Sequence, residues 1–190
     1  MVNIIWKALK EEADILEGVR TLNIGCGKDN WGTDRIDLYK TPITTKVLNV
    51  DKERLPYPDE TFEEIRILGA IEHFKNIGFV LDEVYRVLKK GGTLWIRTDN
   101  AGFFGFHLIK KFEHSRITER WYGVDYFGHH QGEDHHYHLF VESHLRALLK
   151  DYNNIEVSYF YMNPDSWKGW LCKLLPKTIG ASQIDIRGIK

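Results

Sequence analysis

At residues 22–27 the chain reads Leu-Asn-Ile-Gly-Cys-Gly, a short apolar run that ends abruptly in a Gly-x-Gly turn. This pattern is typical of a buried parallel strand that gives way to a loop. Gly25 and Gly27 tolerate positive φ and have no Cβ to hold a ligand away from the backbone. The turn is therefore either a ligand-binding loop or an ordinary strand end, and the residues around it must decide between the two.

Two known phosphate-binding patterns do not continue from this turn. The dinucleotide fingerprint has a third glycine three places after the second, where this chain has Asn30. A P-loop has Gly-Lys-Ser/Thr at the start of a helix, whereas Lys28 is followed here by Asp29, whose charge would repel a phosphate. Neither pattern predicts the ligand of this loop.

Apolar periodicity predicts strands that alternate with helices along most of the chain. The predicted helices cover 4–17, 76–90 and 143–151, and the predicted strands cover 20–24, 34–38, 46–50, 64–68, 93–98, 154–162 and 182–189. We expect Gly91-Gly92 to cap the second helix, with Lys89 and Lys90 placed against its dipole. Residues 167–177 are predicted to be a helix on the sheet or a crossover between the last two strands. The alternation predicts a doubly wound, mainly parallel sheet.

Carboxylates follow two neighbouring strands of this predicted sheet. Asp37 closes the second strand and Asp51 follows the third. In open parallel sheets ligands bind beyond the carboxyl ends of the strands. A carboxylate after the second strand suits the vicinal hydroxyls of a ribose, and one after the third can accept from an adenine amino group, with Val50 as apolar cover. Either residue alone could equally be a turn or cap residue.

The order and spacing of several segments resemble one family, the class I S-adenosylmethionine-dependent methyltransferases, in particular their small type 11 branch. The matching pieces are Leu-Asn-Ile-Gly-Cys-Gly (22–27), Arg-Ile-Asp-Leu (35–38), the run 50–65, Ala-Ile-Glu-His (70–73) and Val-Leu-Lys-Lys-Gly-Gly-Thr-Leu (87–94). The resemblance implies a seven-stranded Rossmann-like sheet in a single domain, residues 1–190, with an acceptor-binding insert at about 99–140. It implies S-adenosyl-L-methionine as cofactor, contacted by Asn23, Gly25, Cys26, Gly27, Asp37, Leu38, Val50, Asp51, Leu68, Gly69, Ala70 and His73.

The chain departs from the family pattern in two places. The gap from Gly27 to Asp37 is much shorter than the usual twenty-odd residues, so the first crossover helix must be abbreviated or missing. The short gap makes Asp34 a rival for the ribose contact. Lys90 stands where the family usually has a proline before the double glycine, a change that costs only a helix stop.

The insert contains five histidines within ten positions, together with Glu133 and Asp134. These histidines are His129, His130, His135, His136 and His138. They could supply the base that deprotonates a methyl acceptor, and His135 and His138, beside His73, are the predicted catalytic residues. They could instead bind zinc or iron, or form a polar loop without a ligand. No tight motif such as His-Glu-x-x-His is present, so no metal ligand is predicted.

Composition limits the remaining choices. The 190 residues are 43% hydrophobic and 28% charged, as in an ordinary soluble enzyme, and 26 basic against 27 acidic residues give a net charge of −1. Such a balance provides no strong signal for nucleic acid. Two distant cysteines, no recognisable signal peptide and no apolar run of membrane-spanning length predict a cytoplasmic protein.

We therefore expect a methyltransferase that moves a methyl group to an O or N atom of a small-molecule or sugar-like acceptor. Two alternatives stay open at this point. The first is a cofactor-binding module that regulates a partner without catalysis. The second is a metal-dependent enzyme built on the histidine-rich insert. The sequence does not predict the acceptor or the oligomeric state.

Overall fold

A computed structural model describes residues 18–104, 136–161, 165 and 167–190. The strands are β1 (Thr21–Ile24), β2 (Asp34–Asp37), β3 (Lys46–Val47), β4 (Phe62–Leu68), β5 (Leu88–Asp99), β6 (Asn153–Phe160) and β7 (Gln183–Ile189). They form one seven-stranded sheet in the order β3-β2-β1-β4-β5-β7-β6. The predicted doubly wound, seven-stranded Rossmann-like sheet is confirmed.

The described helices are short and lie between the strands in the chain. They are a 3-10 turn (Ile71–His73), α1 (Ile77–Val87), α2 (Glu142–Leu148), α3 (Trp167–Lys173) and α4 (Lys177–Gly180). The helices α3 and α4 lie in the connection from β6 to β7. These two strands are neighbours in the sheet, so the connection is not the crossover that was one of the two predictions for residues 167–177. Within the described part of the chain, no helix combines the length and apolar character needed to span a membrane. The predicted helix 4–17 and residues 105–135 of the insert lie outside the described residues.

The sheet is mixed. β1 pairs in parallel with β2 and with β4, and β2 pairs in parallel with β3. β7 runs antiparallel to β5: Gly91 N–H donates to the Lys190 carbonyl at one end, and Asn100 N–H donates to the Ser182 carbonyl at the other. The parallel strands therefore lie in one half of the sheet, and their carboxyl ends carry the predicted cofactor residues.

The described residues divide into two compact units. The first contains those up to Leu68 together with Asn76–Trp95 and Gly188–Lys190, and the second contains Gly69–Lys75 and the described part of Ile96–Arg187. In the first unit all four residues of β1 are buried, as expected for a central parallel strand covered on both faces. The predicted single domain of residues 1–190 stays a prediction.

Helix α1 forms because its apolar positions recur at helical spacing. Val80, Val84 and Val87 are buried on one side, and the Asn76 side chain accepts a hydrogen bond from Phe79 N–H at the helix start. In the second unit α2 buries Leu145, and β7 buries Ile184, Asp185 and Ile186 in succession. The buried apolar side chains of this unit include Ile71, Ile96, Leu145, Leu149, Ile184 and Ile186.

The connection from β1 to β2 contains no helix in residues 25–33. This confirms the prediction that the first crossover helix is abbreviated or missing. In its place Trp31 is buried to 3% exposure, and the Arg66 guanidinium lies 3.6 Å from the centre of its ring. Arg66 also stacks over Trp95 at 4.5 Å. One tryptophan and one arginine thus cover the sheet where the family has a helix.

The predicted cap at Gly91-Gly92 is wrong. Helix α1 ends at Val87, and Lys89, Lys90 and both glycines belong to β5. The helix end is satisfied from elsewhere, since the Lys190 ammonium donates to the carbonyls of Tyr85 and Leu88 at 2.7 Å each. Lysines 89 and 90 therefore do not act on the helix dipole. The Lys190 ammonium, which follows β7, lies at this end of the helix instead.

The third and fifth strands also differ from their predicted bounds. The fifth strand is twice the predicted length, because pairing with Lys190 extends it through the glycines. The third strand stops at Val47 rather than at residue 50. The Asn49 side chain accepts from Asp51 N–H at 3.1 Å. Such side-chain turns compete with continued strand pairing.

Candidate active site

The Gly25–Gly27 turn is built from backbone groups. Gly25 has φ +70° and Gly27 has φ +51°, values that a side chain with Cβ rarely adopts. The N–H groups of Gly25 and Cys26 both donate to the Ile36 carbonyl on β2. A Cβ built on Gly27 would meet no atom within 4 Å. The turn is therefore fixed to the sheet below and open above.

Asp37 ends β2 beside this turn. One carboxylate oxygen accepts the Gly27 N–H at 2.8 Å, and the other accepts the Tyr39 N–H at 3.0 Å. A carboxylate oxygen has two lone pairs, so each oxygen can still accept one further hydrogen bond. The half-buried carboxylate thus keeps the acceptor capacity that a ribose diol requires.

The rival carboxylate, Asp34, lies at the opposite end of the same strand. Both of its oxygens accept from the Arg20 guanidinium, at 3.0 and 2.9 Å. The Thr33 hydroxyl donates to it as well. Asp34 is therefore held in an ion pair at the amino end of β2, away from the Gly25–Gly27 turn.

The predicted adenine residue, Asp51, lies in the loop after β3. One of its oxygens accepts the Asn76 N–H at 2.9 Å, so the carboxylate ties this loop to the start of α1. Both the cap role and the ligand role considered for Asp51 are compatible with this position. Leu38 and Val50, predicted neighbours of the cofactor, are half-buried, as is Leu68 at the end of β4.

Two further predicted contacts on β1 and its turn are buried. The Asn23 amide donates to the Asp29 side chain and to the Trp31 carbonyl at 3.4 Å each, so it shapes the short crossover. The Cys26 thiol lies 3.9 Å from the Thr44 hydroxyl. Burial raises the pKa of this thiol, which keeps it protonated and unreactive.

The loop after β4 carries the next predicted residues. Gly69 has φ +68°, and its N–H donates to the Arg97 carbonyl at 2.8 Å. Ala70 is buried, and the 3-10 turn that follows contains Glu72 and His73. The Glu72 side chain is only 4% exposed, and burial raises its pKa to about 7. The nearby Asp99 carboxylate pushes this pKa up further, whereas a hydrogen bond from Thr98 opposes the rise.

His73 and His136 meet beside Glu72. Their ring centres lie 4.5 Å apart with perpendicular planes. The donor atoms of Glu72, His73 and His136 all lie within 4.8 Å of one another. The backbone N–H groups of Tyr137 and His138 both donate to the Glu72 carbonyl, at 2.8 and 3.3 Å. This pair of hydrogen bonds holds the end of the insert against the 3-10 turn.

The structure describes two of the three predicted catalytic histidines. His73 and His138 lie next to the same backbone carbonyl, and the Nε2 atom of His138 is buried with no hydrogen-bond partner in the described residues. His135 lies outside the described residues. Sequence analysis did not select Glu72 or His136. The only signals for them were the Ala-Ile-Glu-His segment and membership of the histidine-rich run.

The glycine turn, the carboxylates after β2 and β3, and the strand order give a Rossmann-like sheet with a candidate ligand site at the carboxyl ends of its parallel strands. A family model for a methyltransferase domain matches residues 29–96. This match and the fold support the resemblance to class I S-adenosylmethionine-dependent methyltransferases of the type 11 branch.

Solved structures share this fold, and a curated relative is similar over part of the sequence. A methyltransferase structure from Archaeoglobus fulgidus superposes with a TM-score of 0.63 at 13% identity, covering 99% of this chain and 94% of that one. Phosphoethanolamine N-methyltransferase 2 of Haemonchus contortus, solved with S-adenosyl-L-methionine, superposes with a TM-score of 0.55 at 16% identity, covering 90% of this chain and 48% of that one. The ubiquinone/menaquinone C-methyltransferase of Neisseria meningitidis is 31% identical over 98 residues, 44% of this chain and 40% of that protein. The chain spans little more than half, or less, of the curated relatives that it matches.

Proposed function

We propose that this chain transfers the methyl group of S-adenosyl-L-methionine to an O or N atom of a small-molecule or sugar-like acceptor. The observation that carries the proposal is the hydrogen bond from Gly27 to Asp37. It joins an open glycine turn to a carboxylate that retains acceptor capacity, and both lie at the carboxyl end of a parallel strand. This is the place where open α/β sheets bind their ligands.

Cofactor binding in this proposal falls to residues with distinct chemistry. Asp37 accepts from the ribose hydroxyls, and Asp51 accepts from the adenine amino group. The glycine turn approaches the methionine part, where a side chain would intrude. The other proposed contacts are Asn23, Cys26, Leu38, Val50, Leu68, Gly69, Ala70 and His73. When bound, the cofactor supplies an electrophilic methyl group, so the protein itself has only to bind, align and deprotonate.

Deprotonation of the acceptor is the proposed task of a histidine. A neutral imidazole accepts a proton near physiological pH. His138 is the best supported candidate among the described residues, because its Nε2 atom is buried and forms no hydrogen bond with any of them. His135 stays a predicted alternative. A small neutral acceptor suits the near-zero net charge of the chain, and the two free, buried cysteines suit a reducing cytoplasm.

Calorimetry with S-adenosylhomocysteine tests the cofactor site. We expect micromolar binding by the unaltered protein. Asp37→Ala should weaken it about 30-fold, since a hydrogen bond to a charged group contributes about 2 kcal/mol. Asp34→Ala is the matched control on the same strand and should change affinity less than about 2-fold, within the usual range of surface ion pairs. Equal effects of the two variants, or no binding at millimolar cofactor, would contradict the proposal.

Methyl transfer is tested separately with a labelled cofactor and a fractionated metabolite extract. We expect label in a small-molecule product, with turnover reduced by His138→Gln while cofactor affinity stays unchanged. Label on carbon, as the name of the Neisseria protein suggests for that enzyme, would correct the proposed acceptor atom. Cofactor binding without transfer to any fraction would favour the regulatory module instead.

A further inference from the structure

The second unit contains a cluster of one carboxylate and two imidazoles, of which the methyl-transfer proposal uses only His73. We propose that Glu72, His73 and His136 form a binding site for one divalent transition-metal ion. Their donor atoms lie within 4.8 Å of one another. The set combines two imidazoles and one carboxylate, which come from the 3-10 turn and from the end of the insert.

The spacing of the donors suits a metal after a small adjustment. In a tetrahedral zinc site with bonds of about 2.1 Å, the donor atoms lie about 3.4 Å apart. The observed limit of 4.8 Å exceeds this by a distance that rotation of an imidazole ring covers. His73 and His136 are half-buried, so an ion can reach them from solvent.

Neighbouring groups orient Glu72 by hydrogen bonds, as happens for the ligands of protein metal sites. The Thr98 hydroxyl donates to Oε2 of Glu72 at 2.9 Å, which leaves Oε1 for another partner. The N–H groups of Tyr137 and His138 fix the chain next to His136 by donating to the Glu72 carbonyl. Outer hydrogen bonds of this kind orient the ligands of protein metal sites.

Charge supplies an independent argument. Glu72 is nine-tenths buried or more, and its side chain accepts from the Thr98 hydroxyl. A carboxylate is costly to bury without a cation or a full set of donors. A divalent ion at Oε1 would offset this cost.

The donor set also selects the class of ion. Imidazole with carboxylate suits zinc and iron(II), whereas magnesium and calcium prefer oxygen ligands alone. Three protein ligands leave a further coordination position open to water or to an oxygen or nitrogen donor. Under this proposal His73 is a metal ligand, and the base of the methyl-transfer proposal is left to His138.

The test uses the full chain, purified without a histidine tag, stripped with a chelator and free of cofactor. Zinc is titrated by competition with a chromophoric chelator, and cobalt(II) is added to record its visible absorption. We expect one equivalent of zinc and the intense bands of a low-coordinate cobalt site. Glu72→Gln, His73→Gln and His136→Gln should each weaken zinc on the order of 100-fold, and Thr98→Val on the order of 10-fold. Magnesium should not compete.

The matched control is His144→Gln, which removes an exposed histidine of α2 and should leave zinc affinity unchanged. Circular dichroism of each metal-free variant shows that it is folded. Unchanged zinc binding by folded Glu72→Gln and His136→Gln would overturn the proposal. Loss of zinc only on substitution of His129, His130 or His135 would overturn it too. Because no cofactor is present, the result is independent of the outcome of the cofactor titrations.

Discussion

The two candidate regions of this protein are built in different ways. The glycine turn and Asp37 lie within a short stretch of chain, and backbone groups make most of their contacts. The Glu72 cluster instead brings together side chains from the 3-10 turn, the end of β5 and the end of the insert. The first region depends on local conformation, whereas the second depends on long-range packing.

This difference explains which region can be interpreted from sequence. A glycine turn requires particular residues at particular spacings, so its pattern is visible without a structure. A side-chain cluster requires only that distant segments come into contact, and such a contact leaves no pattern in the local sequence. Glu72 and His136 are therefore found by geometry, although each lies in a segment that sequence analysis had noticed.

Trp31→Ala tests whether the crossover before Asp37 also depends on a long-range packing contact, and we expect a large loss of stability. Removing the buried indole should lower the free energy of unfolding by about 3–4 kcal/mol, the usual cost of deleting a large core aromatic. The loss includes the stacking of Arg66 on this ring. Chemical denaturation measures it.

The control for this substitution is Trp170→Ala, which removes a side chain that is 60% exposed. It should cost less than about 0.5 kcal/mol, as surface substitutions usually do. A Trp31→Ala variant as stable as Trp170→Ala would show that the short crossover needs no apolar anchor. The region would then depend on backbone hydrogen bonds alone.

Glu83, a buried residue of α1, provides a second test of the first region, because it holds the loop after Asp51. Its carboxylate accepts from the Arg54 and Arg86 side chains and from Leu55 N–H. These hydrogen bonds, above all those from Arg86, lower the pKa of Glu83 to about 2. Glu83→Gln should cost about 2 kcal/mol at neutral pH, the contribution of a charge-assisted network.

The effect of Glu83→Gln should depend on pH with a definite sign. Because folding lowers this pKa from 4.5 to about 2, the stabilisation is complete above pH 4.5 and is lost as the pH falls toward 2. The difference in unfolding free energy between the two proteins should therefore shrink over that range. A constant difference from pH 7 to pH 2.5 would mean that the carboxylate charge is not what stabilises the loop.

Sequence analysis reached much of the fold and less of the site. The doubly wound, seven-stranded sheet followed from alternation and resemblance, and the missing helix before Asp37 followed from simple counting. The cap at Gly91-Gly92 failed because the true partner of the α1 carbonyls, Lys190, lies at the far end of the chain. Trp31 was overlooked for a related reason: a lone tryptophan in a loop does not show that Arg66 will cover it. In each case the missing information was a long-range contact.

For the second region, Thr98→Val tests whether the hydrogen bond from Thr98 to Glu72 stabilises the cluster, and we expect a small effect. The substitution keeps the shape of the side chain and removes the hydroxyl that donates to Glu72. An oxygen of a buried carboxylate would lose its donor, and stability should fall by about 1–2 kcal/mol. Thr98→Ser retains the hydroxyl and should therefore keep most of the stability that Thr98→Val loses. In the background of Glu72→Gln the two substitutions should differ less, because the amide oxygen still accepts the hydroxyl but carries no charge. Equal costs of Thr98→Val in both backgrounds would show that the carboxylate charge adds nothing to this hydrogen bond.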